Sequence, residues 1–283
     1  MKAIKVENLT KQYGDVTAVN HISFEVEKGT MLGFLGVNGA GKTTAINMLS
    51  TLIAPDEGEV RICGYVIGKE NENIRRKIGI VYQQNYLDDI LTVRENLMCR
   101  GIIHGATKKE AKKQCDKLTV LLKLEDILDR KYKFLSGGQK RRSEIAAALM
   151  HTPEILFLDE PTTGLDPATR QDVWEIVKRL QKQEKMTVFL TTHYMEEAAG
   201  ADNIIIMDKG NIITSGTPFF LKETYAKDKL KLFYKDARIK EIALKNTLDA
   251  LEIVEKEKEF LQGFEVIQGN MDDVFLNAVG TSL

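Results

Sequence analysis

The segment FLGVNGAGKTT, residues 34–44, constrains the fold more than any other part of this 283-residue chain. Three glycines fall within positions 36–41, directly after the apolar run Met31–Gly36. Glycine loses more conformational freedom on ordering than any other residue, so this loop must need a bare backbone. The residues that follow, Ala45–Ile53, have the pattern of a helix. The segment therefore predicts a buried strand, a backbone-lined loop and a helix in direct succession.

This loop fits the phosphate-binding pattern Gly36-x-x-x-x-Gly41-Lys42-Thr43, and it has the strand and the helix that the pattern requires. Glycines allow successive N–H groups to turn inward around a phosphate, and a helix N-terminus adds partial positive charge. Lys42 can then reach the β- and γ-phosphates, and the Thr43 hydroxyl can bind Mg²⁺. By itself this loop indicates only a nucleotide site, whose further cradle residues are Asn38, Gly39, Ala40 and Thr44.

A second segment, ILFLDEP at positions 155–161, ends an apolar run with two acids. Acids at the end of a buried strand are costly unless they meet a cation or water at the edge of the sheet. We expect Asp159 to hold Mg²⁺ through its water shell, and Glu160 to orient and deprotonate an attacking water. The alternative, a pair of surface acids after a strand, is weakened by the presence of the phosphate loop.

A third segment, LSGGQ at positions 135–139, precedes a helical pattern. Ser136 offers a capping hydroxyl, and Gly137 and Gly138 offer open backbone N–H groups, so the segment can form a second anion site. From composition alone, an ordinary helix cap explains the segment equally well.

The order of patterns along the chain indicates an α/β fold. Nearly continuous apolar runs at 154–160 and 186–192 are separated by a helical pattern, which favours a largely parallel sheet covered on both faces. Partly alternating runs at 4–9 and 22–27 predict half-buried strands near the N-terminus. A helical stretch from Thr92 to about Leu128 looks like an insertion into this core.

Composition excludes several classes of protein. Lys and Arg number 40 and Asp and Glu number 41, and this net charge of −1 gives no support for a nucleic-acid binder. Three widely spaced cysteines form no metal-like cluster and favour a reducing compartment. The N-terminus shows no signal-peptide pattern, and no apolar run approaches the roughly 18 residues of a spanning helix.

With the three segments in this order, the chain resembles the ATP-binding subunit of an ABC transporter over roughly Ala3–Leu221. Gly36–Thr43 matches the Walker A motif, Leu135–Gln139 the signature motif and Ile155–Glu160 the Walker B motif. At two positions after the signature the chain departs from the family's usual pattern, since Ser143 replaces an apolar residue and Ala147 an arginine. These departures concern the packing of the signature helix.

Four further residues match single-residue motifs of that family. The resemblance implies that Tyr13 stacks on adenine, that Gln83 contacts Mg²⁺ and senses the membrane subunit, and that His193 contacts the γ-phosphate. Asp166 ends the family's D-loop and is expected at the nucleotide interface together with Ser136 and Gly138. Gln84 is the alternative to Gln83 if the register is shifted by one. The resemblance implies that the catalytic residues are Lys42, Glu160 and His193, and that the metal ligands are Thr43, Gln83 and Asp159.

The resemblance also implies an architecture and partners. We expect an ATPase domain over residues 1–220, built as a phosphate-loop NTPase core with a largely parallel sheet, an antiparallel β subdomain and a helical subdomain at about 85–150. Residues 221–283 are expected to form a small α+β extension. The late segment MDDVFLNAVG and the DEPTTGLDP segment resemble exporter ATPases of the drug-resistance and lipid or polysaccharide group.

Each ATP of such a protein lies between Walker A of one subunit and the signature of another, so a second copy is expected. A separate integral-membrane permease is expected as partner, with the chain at the cytoplasmic face of the membrane and no nucleic acid bound. The alternative is a soluble ABC-type ATPase that acts on ribosomes or DNA. That alternative is disfavoured because the chain has neither a fused second ATPase half nor a long coiled-coil insert.

Overall fold

The computed structural model describes residues 1–244 and 246–280. Within these residues, thirteen strands form three sheets. In chain order the strands are β1 (Lys2–Tyr13), β2 (Val16–Glu27), β3 (Met31–Leu35), β4 (Glu57–Ile62), β5 (Tyr65–Val66), β6 (Ile78–Val81), β7 (Ile155–Asp159), β8 (Thr187–Thr192), β9 (Asn203–Asp208), β10 (Asn211–Gly216), β11 (Lys229–Tyr234), β12 (Ile239–Ala243) and β13 (Leu261–Ile267).

Nine α-helices lie in the same described ranges. They are α1 (Lys42–Leu49), α2 (Asn71–Lys77), α3 (Val93–Ile103), α4 (Lys108–Leu121), α5 (Gly137–Ala148), α6 (Pro167–Gln183), α7 (Pro218–Tyr225), α8 (Asp249–Glu257) and α9 (Met271–Gly280). A 3₁₀ turn covers Tyr132–Phe134, and a 3₁₀ segment covers Met195–Gly200.

The central sheet has six strands in the order β10-β9-β3-β8-β7-β6. All neighbours pair in parallel except β9 and β10, which are antiparallel. Every residue of β3, β7 and β8 is buried, as expected of strands with both faces covered. Because the carboxyl ends of parallel strands meet at one edge, the segments that follow β3, β7 and β8 come together there.

A second sheet, ordered β2-β1-β4-β5, is antiparallel throughout. It confirms the predicted antiparallel β subdomain. Its first two strands form a long hairpin, whereas the sequence predicted only 4–9 and 22–27 as strands. Most of the added positions, apart from the buried Ala3 and Val19, have exposed or polar side chains, so the apolar pattern did not reveal the full length of the hairpin.

One predicted helix has different bounds in the structure, and one helix was not predicted. The first helix begins at Lys42 rather than at Ala45, because its first turn is made of the polar residues of the loop motif. The short helix α2 was not predicted, and only Ile74 in it is buried. The expected helical insertion consists of α3, α4 and α5, whose buried residues join one hydrophobic cluster with the sheet.

The C-terminal part contains a three-stranded antiparallel sheet, β12-β11-β13, with its own small cluster of buried residues. The cluster includes Leu230, Leu232 and Ala250, the last from α8. The final helix α9 does not belong to this cluster. Met271, Val274 and other buried residues of α9 join the large cluster of the core instead. The division at residue 220 stays a prediction.

Candidate functional site

The loop between β3 and α1 forms the first wall of the site, and two of its glycines are sterically required. A Cβ at Gly36 would lie 2.6 Å from the Met207 carbonyl oxygen, and a Cβ at Gly41 would lie 2.3 Å from the Ala18 carbonyl oxygen. Gly41 also has a φ of 103°, which non-glycine residues avoid. Of the other predicted loop residues, Ala40 is buried, Thr44 is half-buried, and Asn38, Gly39 and Thr43 are exposed.

Helix α1 begins directly after Gly41. The amides of residues 42–44 therefore have no carbonyl acceptor within the helix. These donors and the helix dipole favour an anion at this position. Lys42 adds a buried cation, of which only 4% is exposed. Its Nζ donates to the carbonyl oxygens of Gly36 and Val37 at 2.8 and 3.2 Å. Burial lowers the pKa of Lys42, and the carboxylates of Glu160 and Asp159 oppose that shift.

Asp159 ends β7 at the same edge of the sheet. Its Oδ1 accepts a hydrogen bond of 2.6 Å from the Thr191 hydroxyl. Burial raises the pKa of Asp159, and the bond from Thr191 opposes this shift. A cation beside the carboxylate would stabilise its charged form.

The donor set predicted for Mg²⁺ consists of the Thr43 hydroxyl, the Asp159 carboxylate and the Gln83 amide oxygen. Oxygen donors of this kind suit Mg²⁺, which keeps several waters and shares phosphate oxygens. Among the described residues no group of three or more His, Cys, Asp or Glu side chains is arranged to hold a metal ion. The residues therefore fit an ion held largely through a bound nucleotide and water rather than by a dedicated protein cage.

Glu160 is the centre of the site. Its backbone has φ of 47°, a left-handed conformation that is strained for a residue with a side chain. The strain is offset where its N–H donates to the carbonyl and hydroxyl oxygens of Thr191, both at 3.1 Å. Its carboxylate has Oε1 at 3.7 Å from Lys42 Nζ, and Oε2 accepts from Gln83 Nε2 at 3.4 Å. The Thr163 hydroxyl donates to Oε2 at 3.1 Å.

His193 completes this group from the end of β8. Its Nδ1 lies 3.2 Å from Glu160 Oε2, although the two atoms are not in hydrogen-bond geometry. The segment after His193 is anchored by Glu197, whose side chain is buried. Glu197 accepts a 2.7 Å hydrogen bond from the Thr192 hydroxyl and another from the hydroxyl of Thr162. The histidine is thus held close to the acid that follows β7.

Ser136, Gly138 and Asp166 lie together in a second group. The Ser136 hydroxyl caps α5 by accepting from the Gln139 amide at 3.4 Å, and Asp166 caps α6 by accepting from the Thr169 amide at 3.0 Å. Gly138 lies so close to α6 that a Cβ there would be 2.1 Å from Thr169 Cγ2. The hydrogen bonds of these two caps run within their own turns rather than to the group around Glu160, and Ser136 and Asp166 are exposed.

Tyr13 stands apart from both groups. It lies at the end of β1, at the tip of the hairpin, and 51% of it is exposed. The Nζ of Lys11 is 5.7 Å from the centre of its ring. Gln83 donates to Glu160 Oε2 at 3.4 Å, and its assignment over Gln84 stays a prediction.

Several residues that position the site were not identified from the sequence. Thr191 donates to Asp159 and accepts from the backbone N–H of Glu160. The sequence signal for it was a threonine at the end of an apolar strand pattern, because a buried hydroxyl needs a hydrogen-bond partner. Arg141 and Glu144 are also buried, in the helix after the signature. Charged side chains are seldom fully buried without partners, so their place in a core helix could not be read from the run KRRSEIAAALM.

The two departures from the family pattern do not disturb the packing of α5. Ser143 is fully buried, and its hydroxyl donates to the Gln139 carbonyl oxygen at 2.9 Å. Ala147 is also buried.

Comparison with known proteins agrees with this geometry. The profile of the ABC transporter family matches residues 19–163. The chain is 46% identical over 215 residues to the linearmycin resistance ATP-binding protein LnrL of Bacillus subtilis, which covers 76% of this chain and 69% of that protein. It is 41% identical over 238 residues to the daunorubicin/doxorubicin resistance ATP-binding protein DrrA of Streptomyces peucetius, covering 84% of this chain and 72% of that one.

Solved structures give the same result. A dimeric ATP-binding cassette in a post-hydrolysis state, bound to ADP and Pi, has a TM-score of 0.69 and 30% identity, over 76% of this chain and 98% of that one. The fold predicted from the sequence, a largely parallel α/β core with an antiparallel subdomain and helices, is confirmed. The chain belongs to the ABC transporter family and carries that family's ATP-hydrolysing cassette.

Proposed function

We propose that this chain binds MgATP between two copies of itself and hydrolyses it to drive a separate membrane permease, in the direction of export. The observation that carries the proposal is the convergence of Lys42, Gln83, Glu160 and His193 beside Asp159 at one edge of the sheet. These groups come from four separate segments of the chain. Together they provide a phosphate-binding cation, a carboxylate suited to a general base and an imidazole.

The proposal assigns each of these residues a role. Lys42 and the first amides of α1 bind the β- and γ-phosphates, and Tyr13 supplies a ring for adenine. Glu160 orients the attacking water and accepts its proton, and His193 contacts the γ-phosphate from the other side of that carboxylate. Thr43, Gln83 and Asp159 hold Mg²⁺, which neutralises charge on the phosphates when it is bound.

A second copy supplies the remaining groups. In this chain, the hydrogen bonds of the caps at Ser136 and Asp166 run within their own turns, and both residues are exposed. An exposed helix N-terminus with a serine and glycines is suited to an anion presented by another molecule. A symmetric pair satisfies both copies at once, since each offers its signature to the other's phosphate loop. The dimeric cassette among the similar structures supports this arrangement.

The permease and the direction of transport are inferred from the similar proteins. No helix within residues 1–244 and 246–280 has the length and apolar character to cross a bilayer. The similar proteins include ATP-binding proteins of linearmycin resistance and of daunorubicin/doxorubicin resistance. Another is a Nod factor export ATP-binding protein of Burkholderia lata, which is 41% identical over 222 residues, covering 78% of this chain and 73% of that one. We infer a peripheral position at the cytoplasmic face of a membrane, with an exporter permease as partner.

Dimerisation tests the proposal. In a Glu160→Gln chain, which should bind MgATP but not hydrolyse it, MgATP is expected to convert monomers to dimers in sedimentation velocity. Adding Ser136→Arg should block this conversion, because it places bulk and an unpaired charge against the other copy's phosphates. Adding Ser215→Arg, the same change at an exposed serine of β10, is the control and should leave dimerisation intact. Dimers that form equally well with Ser136→Arg would contradict the arrangement.

A further inference from the structure

The segment between β6 and α3, residues 82–92, connects the two groups of the proposed site. It begins with Tyr82 and Gln83, and Gln83 contacts Glu160. Helix α5 lies against this segment and begins directly after Ser136, the residue proposed to face the other copy. The contacts between the segment and α5 therefore decide whether the two groups can move independently.

Arg141 makes the first of these contacts. Only 4% of it is exposed, and its Nη1 donates to the Tyr82 carbonyl oxygen at 2.6 Å while Nη2 donates to the Gln83 carbonyl oxygen at 3.0 Å. One planar guanidinium thus holds the carbonyls on both sides of the Gln83 nitrogen and Cα. A rigid fork of donors fixes backbone orientation in a way that a single ammonium group does not.

Glu144, about one turn further along α5, makes the second contact. Its buried Oε1 accepts from the Tyr86 and Leu87 amides at 2.8 and 3.1 Å, and from the Tyr132 hydroxyl at 2.8 Å. Three donors compensate the buried charge, and burial together with this carboxylate raises the pKa of Tyr132. Helix α5 therefore holds the segment at residues 82–83 and again at 86–87.

We propose that Arg141 and Glu144 form a clamp that makes Gln83 and Ser136 move as one body. The clamp would link a chain's own phosphate site to the signature that the chain presents to its partner's site. It rests on the proposed function, since it uses the roles assigned there to Gln83 and Ser136. Arg141 lies five residues after Ser136, about 7.5 Å along a continuous helix. Because the helix moves as a rigid rod over this distance, a displacement of the Gln83 backbone also displaces Ser136. Arg141 and Glu144 are positioning residues in this scheme.

Arg142 provides a matched control on the same helix. Its Nη1 donates to the Lys123 carbonyl oxygen at 2.6 Å, in the turn after α4. This bond stays within the helical insertion and does not reach residues 82–87. Arg142→Met therefore removes the same chemical group, and a bond to the same kind of acceptor, without touching the clamp.

The clamp predicts separate effects on dimerisation and on nucleotide binding. In the Glu160→Gln background, Arg141→Met should raise the MgATP concentration for half-dimerisation about tenfold, as expected for lost charged hydrogen bonds, while Arg142→Met stays within about twofold. A fluorescent ADP analogue, titrated in EDTA so that the proposed Mg²⁺ ligand Gln83 is not engaged, should bind both variants as tightly as the parent, because the clamp does not touch the phosphate loop. A merely structural role for Arg141 would lower the melting temperature and weaken both kinds of binding together.

A double-mutant cycle gives the sharper test. If Arg141 acts through Gln83, the chain with both Gln83→Ala and Arg141→Met should dimerise no worse than the weaker of the two single variants. Effects that multiply, or equal midpoints for Arg141→Met and Arg142→Met, would overturn the clamp. Should Arg141→Met fail to fold, Arg141→Lys, which can keep one of the two bonds, replaces it in the same cycle with a smaller expected effect.

Failure of the proposed function would look different. If the Glu160→Gln parent stays monomeric with MgATP, the shared site is wrong. The cycle is then measured by the steady-state ATP hydrolysis of the chain with Glu160 intact. Losses of Gln83→Ala and Arg141→Met that do not multiply there support the clamp, and losses that multiply overturn it.

Discussion

The central sheet and the small C-terminal sheet of this chain are stabilised in opposite ways. In β7, ILFLD, all five residues are buried, and the polar group at its end is a site residue. In β11, KLKLFY, buried and partly exposed residues alternate, and Lys231 pairs across to Glu241 on β12 at 3.5 Å. A strand that is buried throughout needs other elements packed on both faces of its sheet, whereas a strand with alternating burial needs them on one face. The proposed catalytic groups lie at the central sheet, where the strands are parallel and their carboxyl ends converge.

The C-terminal residues are not uniform in this respect. The three-stranded sheet and α8 share a cluster of their own, but α9 packs with the core. The Met271 amide at its start donates to Glu196 Oε1 at 2.8 Å, in the 3₁₀ segment that follows His193. The chain therefore leaves the core, forms a small sheet and returns to the region behind the proposed site.

The largest expected difference between the two regions is in catalysis. Glu160→Gln removes the proposed general base and should lower steady-state ATP hydrolysis by about 10²- to 10⁴-fold. Glu257→Gln makes the same change in α8, where the carboxylate accepts from the Tyr234 hydroxyl, and should leave hydrolysis near normal. Near-normal turnover by purified Glu160→Gln would remove the catalytic assignment of the core.

A smaller difference is expected in stability. Phe157→Ala deletes a fully buried ring of the central sheet and should cost about 3–5 kcal/mol of unfolding free energy. Leu230→Ala in the small sheet should cost about 2–5 kcal/mol of local stability. The single tryptophan, Trp174 on α6, reports on the core in denaturant titrations. Its transition should shift with Phe157→Ala and stay in place with Leu230→Ala.

A shift of the Trp174 transition with Leu230→Ala would show that the small sheet and the core unfold as one unit. Circular dichroism in the same titrations follows both regions. It should show an earlier loss of signal with Leu230→Ala if the small sheet unfolds separately.

The smallest expected difference depends on pH and concerns His151. Its Nε2 donates to the Ile78 carbonyl oxygen at 2.9 Å, and its ring stacks on His104 at 4.1 Å. Burial, then the neighbouring His104, lowers the pKa of His151 from 6.5 to about 4. The unfolded chain therefore binds more protons than the folded chain between these values, and stability is lost as the pH falls through that window.

Between pH 7 and pH 5 the loss of unfolding free energy from His151 is at most about 2 kcal/mol. His151→Gln should reduce the pH dependence of the Trp174 transition by up to that amount. All four histidines precede residue 221, so the small sheet should not share this dependence. An unchanged pH dependence in His151→Gln would contradict the lowered pKa.

The parts of the site that the sequence predicted are those with local causes. The loop at 36–43, the acids after β7 and the cap at Ser136 each depend on residues next to one another in the chain, and the structure has strand, loop and helix where the motifs require them. The clamp residues Arg141 and Glu144 could not be found in this way. Their partners lie about sixty residues earlier in the chain, and only packing brings them together.

The sequence by itself determined the class of fold, because continuous apolar runs must be buried on both faces and glycines at 36 and 41 allow a backbone-lined loop. It also determined which side chains carry the proposed chemistry. Only the tertiary structure decided which of them meet. Lys42, Gln83 and His193 gather around Glu160 because four segments end at one edge of a parallel sheet, while Ser136 and Asp166 remain exposed at the ends of other helices. That separation depends on how the helices pack on the sheet, which no local pattern encodes.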